Sequence, residues 1–180
     1  MPLIVETGSI VQNSSSYVSI VDCDTYHVDN GNAAWAGTDA IKEAALRKAA
    51  RYLDGHYRSR WLGSRVLPTS QSMEWPRYGI KLGFSSSVIG GVYYNGQPIN
   101  NFVPSTTVPQ RVKDAQCELA LRALTAELSA DGTGNIKREK VDVLETEYFA
   151  NSVPKQVYQV VDQLLSDYLQ PLGNCTVTRG

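Results

Sequence analysis

The chain has few cysteines and histidines and no long apolar run, and these absences limit the class of protein. Its 180 residues include three cysteines and two histidines. Cys23, Cys117 and Cys175 are odd in number and far apart, which is not the pattern of a disulfide framework, so we expect a protein of the reducing cytoplasm. No apolar run approaches the ~18 residues of a membrane span. The first residues also lack the basic and apolar parts of a signal peptide.

Residue patterns that accompany catalysis and cofactor binding are missing as well. Gly90-Gly91 does not fit a phosphate-binding loop, and no serine has the context of a nucleophile elbow. Cys23 and His27 lie four residues apart, but two ligands without a second cluster make a poor zinc site. We interpret them as a half-buried cysteine beside a surface histidine. The sequence therefore predicts no catalytic residue, no cofactor and no metal site.

Charge is low overall and unevenly distributed. Charged residues make up 19% of the chain and the formal net charge is −1, so the totals do not indicate nucleic-acid or membrane binding. Residues 1–39 contain five acidic and no basic side chains, whereas residues 40–79 contain eight basic and three acidic ones. Residues 141–170 contain five acidic side chains and one lysine. These segments are either solvated faces of alternating sign or surfaces that complement one another.

Apolar residues recur with helical spacing in several segments. The clearest helix starts at Thr38 or Asp39, either of which can cap it, and carries Leu46, Leu53 and Trp61 on one face. Two adjacent apolar stripes after Pro109 indicate a central helix packed on two sides. We predict main helices over residues 39–60, 109–129 and 154–169. A shorter helix over residues 18–28 would be capped by Ser16 or Ser19.

The last predicted helix begins at Pro154 and ends before Pro171. Its apolar stripe consists of Val157, Val160, Val161, Leu164 and Tyr168.

Two other segments predict β-structure. Asn95-Gly96 between apolar flanks, within the loop-like residues 80–107, is the strongest short signal for a hairpin. Residues 136–149 alternate in polarity and predict a strand or a hairpin. The predicted fold class is therefore mainly α. A helical domain over residues 17–170 is preceded by an extended arm, 1–16, and followed by a tail, 171–180.

Aromatic and basic side chains are interleaved in the second half of the basic segment, and they allow three interpretations. Aromatic rings and arginines can stack on and neutralise single-stranded DNA. The same residue types are favoured anchors of protein interfaces. The tryptophans can also be ordinary core residues. The residues concerned are Arg60, Trp61, Arg65, Trp75 and Arg77.

A spaced pattern of residues in the same region resembles the head–tail connector proteins of tailed phages. The pattern consists of YLD (52–54), Tyr57, RW (60–61), Gly63, Arg65, Gln71 and EWPR (74–77). Two later segments, 108–121 and 136–148, are similar to that family in the same order. The resemblance therefore covers roughly residues 17–170 and is more specific than a single short motif.

The resemblance implies a structural protein of the virion. Connector proteins of this kind form a ring, commonly of twelve copies, on the portal of a filled capsid. The ring extends the DNA channel and provides a docking platform for the tail. The implied partners are further copies of the chain, the portal protein, a tail terminator or stopper protein, and passing genomic DNA without sequence specificity. The implied location is the neck of the virion, and the host cytoplasm during assembly, with no membrane.

Single-stranded DNA binding is the alternative function. Some sequences of this kind carry the label of DnaT-like single-stranded DNA-binding proteins, related to primosomal proteins. Such a protein would act in replication and would use the interleaved tryptophans and arginines described above.

A cyclic ring needs two different patches that complement each other. We expect the basic helix face with Arg47 and Arg51 to meet an acidic face of the neighbouring copy. The tail contains Val177 and Thr178, which favour extended structure, and the resemblance implies that it clasps the portal or a neighbour.

Overall fold

Helices dominate the described part of the chain. The computed structural model describes residues 2–82, 93–94, 97–98, 102–129, 138–141, 144–147 and 157–171. Within them, four α-helices are present: α1 (Ile20–Asp29), α2 (Asp39–His56), α3 (Gln110–Ala123) and α4 (Gln159–Leu165), the last followed by a 3-10 turn, Ser166–Tyr168. The mainly α fold class predicted from the sequence is therefore confirmed. No helix among the described residues is long and apolar enough to cross a membrane.

Three short antiparallel hairpins lie among the described residues. The first pairs β1 (Ser64–Arg65) with β2 (Arg77–Tyr78). The second pairs β3 (Tyr93–Tyr94) with β4 (Gln97–Pro98), which confirms the hairpin predicted at Asn95-Gly96. The third pairs β5 (Arg138–Val141) with β6 (Leu144–Glu147), which confirms the hairpin as one of the two structures that the sequence predicted for this part of the chain.

The short helix α1 begins at Ser19, one of the two predicted caps. The Ser19 hydroxyl oxygen accepts a hydrogen bond from the Asp22 N–H at 3.1 Å, which satisfies a free donor of the first turn. The Asp22 carboxylate in turn accepts from the Ser19 hydroxyl at 2.7 Å. The helix ends at Asp29 with Asn30 as its C-cap, one residue beyond the predicted end at residue 28.

Helix α2 ends at His56, four residues before its predicted end at residue 60. The chain beyond it pairs with the segment after α4: Leu62 N–H donates to the Tyr168 carbonyl at 2.9 Å, and Gln170 N–H donates to the Arg60 carbonyl at 2.7 Å. These long-range bonds satisfy backbone groups that a longer helix would have used. Thr38 is the N-cap residue, but its side chain makes no capping bond.

Helix α3 is the central helix and contacts α1, α2 and α4. It ends at Ala123 and not at the predicted residue 129. The Thr125 and Ala126 N–H groups both donate to the Arg122 carbonyl, which turns the chain out of the helix. Leu128 remains buried beyond this turn, so the apolar stripe continues after the helix has stopped.

Helix α4 begins at Gln159 and is rotated relative to the predicted stripe. The prediction of a start at Pro154 was wrong, because Val157 and Tyr158 are not helical. Val161, Leu165 and Tyr168 form the buried face, whereas Val157 and Val160 are exposed. Tyr158 sets this rotation: its ring meets Tyr52 edge to face and lies under the Arg122 guanidinium, so it anchors the helix start.

The first residues form a packed loop and not a free arm. Glu6 is fully buried, and its carboxylate accepts hydrogen bonds from the N–H groups of Gly8, Ile10 and Val11 at 2.8 to 3.0 Å. A short parallel bridge joins Val5 to Ser16 and returns the chain to the core.

Candidate functional site

The structure brings five of the nine predicted interface residues together. Arg60, Trp61, Arg65, Trp75 and Arg77 gather between the end of α2, the β1–β2 hairpin and the end of α4, and we call them the tryptophan–arginine cluster. Arg47 and Arg51 lie apart from this cluster, on the face of α2 that meets the N-terminal loop. Val177 and Thr178 lie outside the described residues.

Both tryptophans of the cluster are core residues. Trp61 and Trp75 are buried and meet edge to face, with ring centroids 5.6 Å apart. Trp75 also meets Tyr168 edge to face at 5.6 Å, so its ring is enclosed on two sides. The Trp75-Pro76 peptide bond is cis. A nucleobase can stack only on a ring with an open face, so the core interpretation of Trp61 and Trp75 is correct.

Arg77 is buried and holds the cluster together. Its guanidinium donates to the Glu74 carboxylate at 2.8 Å, to the Leu62 carbonyl at 2.9 Å and to the Gly63 carbonyl at 2.8 Å. Burial lowers the pKa of Arg77, and the neighbouring Glu74 carboxylate counteracts this effect. The residue therefore bridges β2 to the loop after α2, and its charge is not available to a ligand.

The other residues of the family pattern also have structural roles. Arg65 donates to the carbonyls of Pro68 and Gln71, and Gln71 donates to the carbonyls of Met73 and Pro76. These bonds close the loop between β1 and β2.

Gly63 has a backbone φ of +65°, and a Cβ atom there would collide with the Tyr78 carbonyl. The spacing of the pattern thus reflects one interlocked loop.

Arg60 connects the cluster to α4. Its guanidinium lies 3.6 Å from the Asp162 carboxylate and 5.7 Å from the centre of the Tyr57 ring. The Tyr57 hydroxyl donates to the same carboxylate at 2.9 Å.

Sequence reasoning missed two groups that organise the core. Gln116 is fully buried, accepts from the Tyr17 N–H at 2.8 Å and donates to Ser16 Oγ and to the Leu46 carbonyl. The sequence does contain a signal for Gln116, because its amide side chain lies between the two apolar stripes of α3. The second missed group is the pair of Tyr17 and Asp54, joined by a hydrogen bond from the Tyr17 hydroxyl to the carboxylate.

Asp54 is a half-buried carboxyl with an unusual protonation equilibrium. Burial raises the pKa of Asp54 to about 7, although the Tyr17 hydroxyl and the Glu74 N–H, which both donate to it, lower that pKa. The nearby Glu74 carboxylate raises the pKa of Asp54 further, and the Arg65 guanidinium lowers it. Burial and the Asp54 charge also raise the pKa of Tyr17 well above its usual range.

This equilibrium predicts a pH-dependent stability. The folded state holds the Asp54 proton up to about pH 7, whereas an unfolded aspartate releases it near pH 4. The raised pKa of Asp54 therefore adds to the free energy of unfolding at low pH. This contribution is fully present below about pH 4 and is lost as the pH rises through about 7. We expect Asp54→Asn to reduce the pH dependence of the free energy of urea unfolding between about pH 5 and pH 8, limits set by these pKa values, because asparagine cannot ionise.

Asp39→Asn, which removes an exposed carboxylate at the start of α2, is the matched control. Its unfolding free energy should change with pH as steeply as that of the wild type. An unchanged slope in Asp54→Asn would show that Asp54 titrates in its ordinary range.

His27 is buried, which corrects the expectation of a surface histidine. Its Nε2 lies 3.2 Å from the Cys117 carbonyl oxygen, and its Nδ1 lies 3.1 Å from the Asn32 amide nitrogen. Both ring nitrogens thus have partners within the protein. No group of three or more metal-ligating side chains is present among the described residues.

A cleft lies between α2 and the N-terminal loop, and we call it the basic cleft. It has a volume of about 340 Å³ and is lined by Ser14, Ser15, Arg47, Ala50, Arg51, Asp54, Ser72 and Met73. Arg47 pairs with Glu43 at 2.8 Å. The Arg51 side chain is exposed, and its guanidinium forms neither a hydrogen bond nor an ion pair with any described residue.

Large apolar side chains are exposed on α1. Val21 and Val28 are 72% and 77% exposed and lie seven residues apart, on one face of the helix. Thr25 lies between them, and its hydroxyl donates to the Val21 carbonyl of the same helix. Asp22 and Asp29 flank this face, which we call the α1 stripe.

Comparison with known families gives one match that covers the whole chain. The model of the family described as "Putative DnaT-like ssDNA binding protein" matches residues 1–180. No curated protein and no solved structure matches the chain. Because the match extends over every residue, the chain belongs to the family of DnaT-like proteins that carries this description.

Proposed function

We propose that this protein is a structural component of a tailed-phage virion, a head–tail connector that forms a ring on the portal. The ring extends the DNA channel and provides the docking platform for the tail or a stopper. The observation that carries the proposal is the tryptophan–arginine cluster. The first part of the pattern on which the connector resemblance rests is spread over 26 positions, from Tyr52 to Arg77, and most of its residues interlock in the loop around the cluster.

This interlocking supports the connector resemblance because it gives the pattern a physical reason. A glycine with positive φ, a buried arginine and a glutamine that closes a loop are requirements of one particular backbone. A sequence that meets all of them at the connector spacing is expected to share the connector backbone.

The surface also favours protein partners. Among the described residues, the exposed large apolar side chains are Val21, Val28, Ile41, Leu67, Tyr78, Phe102, Val157 and Val160. Val21 and Val28 share one face of α1, and a continuous apolar face at the surface is typical of sites that other proteins cover. A ring subunit needs such surfaces for its two neighbours, for the portal and for the tail.

Single-stranded DNA binding remains the second candidate, and the family description favours it. Binding of this kind usually combines a basic groove with exposed aromatic rings. The basic cleft supplies arginines, but the tryptophans of the cluster are buried and cannot supply the rings. The formal net charge of −1 is also unfavourable for DNA binding.

Electron microscopy of the protein mixed with the portal protein of the same phage tests the first candidate. We expect rings of this chain seated coaxially on the portal. A mixture in which the portal remains bare at micromolar concentrations of both proteins would contradict the connector function.

A salt titration of binding to a labelled oligothymidylate tests the second candidate. We expect feeble binding at about 0.15 M salt, because few phosphates can be neutralised. Substitution of Trp61 or Trp75 is unsuitable here, since it would disturb the core. Arg51→Ala is the better probe because Arg51 is exposed. Sub-micromolar affinity that is lost in Arg51→Ala would favour the DNA-binding function over the connector.

A further inference from the structure

We propose that the α1 stripe of one subunit docks in the basic cleft of the next subunit. The inference rests on the proposed ring function and assigns the two surfaces of the contact between copies. Any cyclic ring is built from one patch that fits a different patch on its neighbour. The stripe and the cleft are such a pair, because they lie on different helices and share no residue.

Charge is the first argument for this pair. The stripe carries Asp22 and Asp29, and the segment 1–39 around it contains no basic residue. The cleft presents Arg51, which is exposed and has no ion-pair partner among the described residues. Docking would bring the exposed Arg51 and Asp29 charges together. Charge pairs of this kind fix the register of an interface and exclude incorrect partners.

Shape is the second argument. On α2, Arg47, Ala50, Arg51 and Asp54 are spaced i, i+3, i+4 and i+7 and form one face of two helical turns. Val21, Thr25 and Val28 form a face of the same length on α1, about 10 Å. The small side chain of Ala50 at the floor of the cleft allows a helix to approach closely.

The apolar content is the third argument. Of the large apolar side chains in the part of the chain that the structure describes, Val21 and Val28 are the two most exposed. Ala50 and Met73 at the cleft are themselves buried, so the valines would meet the small side chains of the three serines there, while acidic side chains reach the arginines at the rim. A second copy of this chain therefore covers its exposed valines in the cleft and pairs its charged groups there.

The test is a charge swap in the full-length protein. We expect Arg51→Glu and Asp29→Lys, each alone, to lower the fraction of subunits in rings by at least about tenfold, because each places like charges in contact. The double variant Arg51→Glu/Asp29→Lys restores opposite charges and should return ring formation to within about threefold of wild type. Native mass spectrometry and sedimentation velocity, with and without the portal protein, measure the ring fraction.

Lys113→Glu on α3 makes the same charge change away from both surfaces and serves as the control. Circular dichroism melting checks that all variants remain folded. Normal rings from either single variant would overturn the inference and leave the connector function intact. If the single variants form rings that no longer attach to the portal, the cleft binds the portal and not a neighbouring copy, and this result would also overturn the inference. Wild-type protein that stays monomeric with the portal present would overturn the connector function as well.

Discussion

Replacement of Arg77 by methionine should destabilise the fold by about 3 to 5 kcal/mol, the cost of breaking a buried ion pair. The change removes four donated hydrogen bonds and leaves the Glu74 carboxylate and three carbonyl groups, of Leu62, Gly63 and Glu74, without this donor. A loss of that size is a large part of the stability of a typical domain. Urea unfolding followed by tryptophan fluorescence measures it, because Trp61 and Trp75 lie in the same cluster.

Arg58→Met is the matched control for this prediction. Arg58 approaches the same Glu74 carboxylate at 3.5 Å, but its side chain is 72% exposed. Exposed ion pairs contribute about 1 kcal/mol or less, so we expect a small effect. Equal losses in Arg77→Met and Arg58→Met would contradict the view that burial of the Arg77 guanidinium determines its importance.

Trp75→Ala is the second substitution with a large expected effect. The ring is fully buried and packs edge to face against Trp61 and Tyr168. Removal of a buried tryptophan leaves a cavity and costs about 3 to 5 kcal/mol. We expect this loss in thermal unfolding, together with unchanged affinity for single-stranded DNA in whatever fraction remains folded.

Trp75→Phe separates the volume of the ring from its polar group. Trp75 Nε1 has no hydrogen-bond partner among the described residues, so phenylalanine removes no such bond. The expected cost is about 1 to 2 kcal/mol, which reflects the smaller ring alone. Tyr78→Ala, at a residue that is about half exposed, should change stability by less than about 0.5 kcal/mol. A Trp75→Ala protein of wild-type stability would contradict the placement of Trp75 in the core.

Local sequence rules predicted where helices occur better than where they end. The cap at Ser19 and the strand pairing of Tyr93–Tyr94 with Gln97–Pro98 depend on neighbouring residues alone, and both were predicted correctly. The end of α2 depends instead on backbone pairing between Leu62 and Tyr168, which are about a hundred positions apart. No periodicity within residues 39–60 contains that information.

Side chains that pack around one aromatic anchor were harder to predict. The stripe assigned to α4 included Val157 and Val160 because they are apolar, yet Tyr158 occupies the pocket beside Tyr52 and turns both valines outward. The tryptophan–arginine cluster shows the same limitation. The sequence allowed core, interface and DNA-binding roles for its residues, and only the contacts of Trp75 and Arg77 distinguish among them.

The hydrogen bonds of Tyr17 have a consequence for synthesis of the protein on the ribosome. The Tyr17 N–H donates to the Gln116 side chain, 99 positions later, and the Arg60 backbone carbonyl accepts from the Gln170 N–H. The first half of the core therefore cannot close until α3 and the segment after α4 have left the exit tunnel. Contacts so distant in sequence slow folding. We therefore expect the tryptophans of the nascent chain to stay unpacked until these segments emerge, and we expect a chaperone that shields them to increase the yield of soluble protein.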